Sequence, residues 1–383
     1  MRALFAAAVL AAVAGCASAG AAQSGNGSSG EALRAASESP RLYVTNQNGA
    51  SISVIDVERQ EIVDRIDLQA LGFGPNAKPH DIAAEPDGSY WYATLIGENR
   101  VVKFDRDGRV VGQAEMEVPG LAVAHPTEDL LLVGRSMTAV NPPSSIAFIR
   151  RSDMTLLDEV EVVFPRPHAL GVRPAGDRVY SASLAENRMA VIDPVAGDVE
   201  LVELPPATAP AAAARPAADS AHAAMGHVGH TPHTVVEFAI APDGRTMVAG
   251  GELSGVLLVF DLTDPDAPRV VRTIELGGSP WHPTFSPDGR WVWVPLHLAN
   301  AVAVVDAASW EVVGRVEGRG LAQPHAVVVS PDGRFVFVSN NNTGGQYVAN
   351  GPDPEAGTVV VIDAATRAIV EVLEVGANAT GMD

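Results

Sequence analysis

Cysteine is nearly absent from this chain, with one residue in 383. A single thiol excludes an intrachain disulfide, a Cys-rich zinc site and a c-type haem attachment, each of which needs at least two. Basic residues are also scarce. With 26 Lys and Arg against 46 Asp and Glu, the formal charge is -20, which disfavours nucleic acid or an anionic membrane surface as partner because clustered cations hold both. A cation is the more natural ligand. No Gly-x-Ser-x-Gly elbow occurs, which argues against a serine hydrolase, and no segment carries the 3.6-residue apolar period of a helical solenoid. The leading apolar run, Ala3 to Val13, is too short to cross a bilayer as a mature helix. What remains is 47% hydrophobic and 19% charged, which is enough to bury a core and argues against global disorder.

The position of the one cysteine explains it. A short charged start, Met1-Arg2, precedes the apolar run, and Val13-Ala14-Gly15-Cys16 follows. This resembles the bacterial lipobox, in which the peptide is cut before the cysteine and the thiol is acylated. The resemblance implies a signal peptide over residues 1–15, lipidation and a membrane anchor at Cys16, and an exported lipoprotein on the periplasmic side of an outer membrane or at the cell surface. Ala17 after Cys16, rather than Asp, matches outer-membrane sorting. Residues 16–40 are then a lipidated cysteine and an Ala-, Gly- and Ser-rich tether, reaching roughly 25 Å as a coil.

From Arg41 the pattern is β throughout. Pro324-His325 leads an apolar strand, Pro331-Asp332-Gly333 forms a turn, and Phe335 to Asn340 is a second apolar strand. The same grammar recurs at Pro79-His80 with Pro86-Asp87-Gly88, at Pro167-His168 with Pro174-Ala175-Gly176-Asp177, at Pro232-His233 with Pro242-Asp243-Gly244, and at Pro280-Trp281-His282 with Pro287-Asp288-Gly289. A third strand ends in Asp56, Asp105, Asp193, Asp261, Asp306 or Asp363, where the carboxylate can bond its own turn; the third repeat has Ile149-Arg150 instead. Seven repeats of about forty residues predict four-stranded antiparallel blades, arranged radially as a β-propeller over residues 41–383. Residues 205–231 are an Ala-, Pro- and His-rich insertion between the fourth and fifth blades. The first repeat lacks an inner strand, and residues 376–383 match the start of one. The C-terminal strand is therefore expected to pair with the first blade and close the ring.

Tyr43-Val44-Thr45-Asn46 with Val54-Ile55-Asp56 downstream resembles the YVTN-repeat family of seven-bladed propellers. That family hosts many activities, so the resemblance implies a fold more than a reaction. Pro79-His80 with Trp91 and Asn99-Arg100-Val101 resembles the streptogramin-lyase propellers, and Pro324-His325 with its turn resembles the lactonases. Neither carries a complete catalytic set.

In such a propeller every inner strand starts on the same face. By that rule His80, His168, His233, His282 and His325 fall at the channel mouth, His297 in an adjoining loop, and His222, His227 and His230 in the insertion; His125 alone maps elsewhere. His80, His168 and His325 each stand six residues before the proline of their turn, whereas Trp281 takes that position in the sixth blade. His282 should then face the other side of its strand unless a bulge intervenes. The expected metal or cofactor ligands are His80, His168, His233, His282, His297 and His325. An auxiliary set comprises His222, Met225, His227 and His230, whose thioether suits cuprous ion. Copper or another transition metal is the first expectation, and haem d1, which similar channel histidines suggest, comes behind it.

Two other readings stand beside this one. The imidazoles can belong to the repeat grammar, bonding loops around a water-lined channel. The amides of Asn340 to Gln346 can form turns or hold a polar ligand. The functional expectation is accordingly an envelope-anchored, monomeric binding protein whose top face takes a metal or metal cofactor. The alternatives are a metal-dependent or lactonase- or lyase-like enzyme, and a scaffold for an envelope protein with no metal.

Overall fold

The computed structural model describes residues 39–137, 139–206 and 233–383. They form seven four-stranded antiparallel sheets. Each inner strand touches the inner strands of the two neighbouring blades, all the way round. The second blade is typical: Pro79–Ala84, Tyr90–Leu95, Arg100–Asp105 and Val110–Glu115 run outward in sequence order. Its middle strands are buried on both faces, and its outermost strand is mostly exposed. That gradient is why the middle strands read as continuous apolar runs: radial packing covers both faces of each sheet. Tyr43 of the first blade stacks on Trp91 of the second at 4.4 Å, and Trp91 in turn stacks on its strand neighbour Phe104 at 4.1 Å.

The turn chemistry follows the sequence. Asp56, Asp105, Asp193, Asp261, Asp306 and Asp363 all accept backbone N–H groups of their own following turns. In the third blade Arg150 reaches Asp153 instead, and Asp153 accepts the Thr155 amide.

The ring closes as expected. Ala379–Met382 lies innermost in the first blade, beside Arg41–Asn46. Tyr43 and Asp383 exchange backbone bonds of 2.9 and 3.2 Å, and the Thr45 and Thr380 hydroxyls meet at 2.7 Å. Ser339 Oγ and Asn341 Nδ2 of the seventh blade also donate to carbonyls of this strand.

A sevenfold feature precedes the inner strands. Lys78, Val118, Arg166, Thr234, Ser279, Gln323 and Asn378 all have φ between 42° and 58°. Left-handed backbone is costly for residues with a Cβ, most of all for a β-branched one. Asn99 Oδ1 and Asn300 Oδ1, each on the preceding blade, accept the amides of Val118 and Gln323, and Asn187 Oδ1 accepts that of His233. The recurring Glu-Asn loops therefore serve the repeat, and the kink turns each chain downward into the channel.

Two measurements test this account. Removing residues 376–383 strips the first blade of its inner strand and should lower the calorimetric melting temperature by roughly 5–10 °C; an unchanged melt would refute the closure's importance. Val118→Asn, which puts at this kink the residue type found at Asn378, should stabilise by about 0.5–1 kcal/mol in chemical unfolding.

Candidate functional site

Reading the second position of each inner strand around the ring gives Thr380, His80, Gly120, His168, Val236, Trp281 and His325. The small members of that ring let the large ones meet. Gly120 separates His80 from His168, and those rings lie 6.0 Å apart, centroid to centroid. Thr380 separates His80 from His325, again at 6.0 Å. Gly120 is needed for a second reason, because a Cβ there would come within 2.4 Å of the Arg135 carbonyl. That carbonyl accepts the proton of His168 Nδ1 at 2.7 Å.

The register of His282 is settled by a break in the ladder. Inner-strand pairing shifts between Pro79 and Ile82, between Val235 and Phe238, and between Pro324 and Val327. In the sixth blade it shrinks to an isolated Pro280–Leu296 bridge before Thr284–Phe285. A bulge lets consecutive residues share one side. His282 thus packs against His325 at 4.5 Å, and Trp281 meets His325 edge-on at 4.9 Å. His297 stacks flat on Trp281 at 4.0 Å and holds the Pro324 carbonyl at 3.2 Å.

His233 does not join the group. Its Nδ1 meets Ser254 Oγ and its Nε2 meets the Pro205 carbonyl, both at 2.9 Å, so its ring is spent on local structure. His125 accepts the amides of Thr127 and Glu128 at Nδ1 and donates from Nε2 to Gly176, fixing a turn away from the mouth. His222, Met225, His227, His230 and Cys16 lie outside the described residues.

Protonation follows from burial. His80 is pushed down to about 4 by desolvation. His282 and His325 are held well below the usual histidine range by burial and then by neighbouring imidazoles. All three are neutral at neutral pH, so each ring offers a lone pair. Where the lone pair points is set by partners. His80 Nδ1 faces the Gln47 Oε1 acceptor at 3.0 Å, which keeps the proton on Nδ1 and leaves Nε2 as an acceptor. The Arg135 carbonyl imposes the same tautomer on His168. Among the described residues His80 Nε2, His282 Nε2 and His325 Nδ1 are buried without a hydrogen-bond partner. That donor set suits a borderline or soft cation. Among the described residues no three His, Cys, Asp or Glu side chains already stand at the spacing of metal ligands, so an ion would have to draw the rings inward.

Two carboxyls that the strand-turn grammar did not single out lie beneath the imidazoles. Asp81 and Glu237 each occupy the residue after the ring position, five before the proline of their turn, where the sixth blade has His282. Reading that column down the repeats would have found them. Burial raises Asp81 to about 7, with Asp383 adding to it, although Asp81 Oδ2 accepts the Ala122 amide at 2.9 Å. Glu237 is raised well above the carboxylate range by burial and by Asp81. Glu237 Oε2 stands 3.7 Å from His282 Nδ1. Because burial drives both groups toward neutrality, this is a polar contact rather than an ion pair.

The comparisons with known proteins speak to architecture. No family model and no curated protein matches the chain, so membership of the YVTN-repeat family is not shown. Solved structures do match. Hydrazine synthase of Kuenenia stuttgartiensis superposes with a TM-score of 0.63 at 16% identity, over 85% of this chain and 92% of that one. A functionally unknown protein from Desulfotomaculum acetoxidans superposes with a TM-score of 0.65 at 13% identity, over 90% and 98%. The likeness is one of fold. It supports the seven-bladed propeller and carries no activity across.

The buried groups make opposed pH predictions. Asp81 keeps its proton to about 7 when folded but only to 3.8 when unfolded, so its contribution to stability falls as pH rises through that window. His80 titrates near 4 folded against 6.5 unfolded, so its contribution is lost as pH falls from 6.5 toward 4. The slopes oppose and partly cancel in the native chain. Asp81→Asn should therefore gain stability over wild type steadily as pH rises from about 4 to 7, by on the order of 2–4 kcal/mol in all. His80→Gln should gain in the reverse direction. Urea unfolding curves across the window decide it; a constant offset for Asp81→Asn would mean that the carboxyl is not held protonated.

Proposed function

We propose that the channel mouth binds a transition-metal ion through His80, His282 and His325, with His168 as the neighbouring fourth ring, and that the protein acts by holding and presenting that ion. One observation carries the proposal: three neutral, buried imidazoles lie together at the mouth, His80 6.0 Å and His282 4.5 Å from His325, each with a ring nitrogen that no described residue satisfies. Leaving buried polar atoms unmet costs about 1–3 kcal/mol each, so such groups call for a ligand. Anchored Nδ1 protons on His80 and His168 add the outer-shell pattern usual for metal-binding histidine. Glu237 and Asp81 supply negative charge nearby once a cation favours their ionised forms. A bound ion would contribute Lewis acidity at the mouth. We also propose that Cys16 anchors the chain in the cell envelope; Cys16→Ser should release it from the membrane fraction.

Isothermal titration of tag-free protein with Cu(II), Ni(II) and Zn(II) tests the metal reading. In a variant lacking residues 205–231, which removes the auxiliary histidines, one equivalent should still bind. His282→Ala and His325→Ala should each weaken it by about tenfold or more, while His233→Ala leaves it unchanged. A scaffold with incidental histidines would instead bind no stoichiometric metal, or bind it equally well in all variants whose melting curves show them folded.

A further inference from the structure

In six blades the outermost strand carries an acidic residue, paired at or near the start of the third strand, with an apolar residue directly after it. The pairs are Asp67-Leu68, Glu115-Met116, Glu161-Val162, Glu203-Leu204, Glu275-Leu276 and Glu374-Val375, and each apolar member packs into a core cluster. The sixth blade has Glu317-Gly318 instead. Leu321 takes over the core contact there. Beside Gly318 lies a solvent-open cleft of about 380 Å³, bordered by the outermost strands of the sixth and seventh blades, Val312–Glu317 and Ile369–Ala377.

Three guanidinium groups, those of Arg315, Arg319 and Arg367, border this cleft, and Glu317 is the one carboxylate in its lining. The cleft is thus net positive on a chain whose formal charge is -20. Each guanidinium is anchored by one hydrogen bond. Arg315 Nε donates to Glu317 at 2.6 Å, Arg319 Nη2 to the Tyr347 hydroxyl at 3.1 Å, and Arg367 Nη1 to the Val313 carbonyl. Arg319 also lies over the Tyr347 ring and Arg367 over Trp291, with guanidinium carbons 5.3 and 5.4 Å from the ring centroids. Gly314 makes room for Arg367, since a Cβ there would fall 2.7 Å from its Nη1. A guanidinium carries five N–H donors in one plane, so each group keeps donors that no other described residue meets.

We propose that this cleft binds a phosphate monoester through Arg315, Arg319 and Arg367. A monoester offers three oxygens, one for each guanidinium, where a single carboxylate offers two. Its double negative charge offsets the surplus positive charge of the lining. Ile369 and Val372 border the same cleft and give the ester's organic part an apolar wall. No metal takes part, so this site stands apart from the channel mouth.

The probe is phenyl phosphate at about pH 8, where the monoester is a dianion. It is titrated calorimetrically into full-length protein in EDTA, so that no metal bridges the two. Wild type should bind it saturably, and more tightly than phthalate, a planar dicarboxylate. Arg315→Gln, Arg319→Gln and Arg367→Gln should each raise the dissociation constant about five- to fiftyfold, the loss of charged hydrogen bonds. Arg319→Lys, which keeps the charge and loses the fork, should recover only part of that loss. Arg269→Gln, at an exposed arginine of the fifth blade, should change nothing. The Arg315 side chain is 41% exposed, so its variant tests binding without disturbing the core. Absence of saturable binding, unchanged affinity in the three groove variants, an equal loss in Arg269→Gln, or phthalate binding as tightly as phenyl phosphate overturns the proposal.

Discussion

The pairing of Ala379–Met382 with Arg41–Asn46 is the constraint on which the rest of the molecule depends. A radial array of sheets has no edge problem only if the last blade meets the first, and here the two chain ends make that seam. The seam is also part of the site. Thr45 Oγ1 and Thr380 Oγ1 both lie within hydrogen-bonding distance of the His80 carbonyl, at 3.1 and 2.9 Å. Gly381 passes so close that a Cβ would fall 2.3 Å from Asp81 Oδ1 and 2.7 Å from the His80 carbonyl. The bonds that close the ring thereby set the position of one imidazole and the carboxyl below it.

Within that closed frame, burial governs the chemistry. Desolvation lowers the histidines and raises the carboxyls, so the mouth holds neutral imidazoles beside carboxyls pushed toward their neutral forms. Such an arrangement limits the cost of burying isolated charge. A positive-φ residue stands ahead of each inner strand, and in the second and seventh blades a shift in the strand pairing follows it.

Much of this was legible along the chain. Strand alternation, Pro-Asp-Gly turns and the aspartates that bond their own turns are local features, governed by a few consecutive residues, so sequence reveals them directly. Ring closure was legible too, because a missing inner strand at one end and a surplus one at the other leave one solution. Histidine placement was half legible. His80, His168 and His325 follow from register, but the strand period turned His282 away, and the break at Pro280 reversed that. His233 was grouped with the others by its Pro-His dipeptide, yet it precedes its strand and bonds Ser254 and Pro205.

Residue order alone determines that this chain makes seven blades, where each begins, and that histidines gather on one face, since these depend on short-range propensity and on repetition. Which imidazole rings lie side by side, which tautomer His80 and His168 take, and that burial pushes Asp81 and Glu237 toward their neutral forms were decided only in three dimensions. Those properties come from contacts between blades distant in sequence, such as Arg135 with His168 and Gln47 with His80. They also come from solvent exclusion, which exists only once the ring has closed.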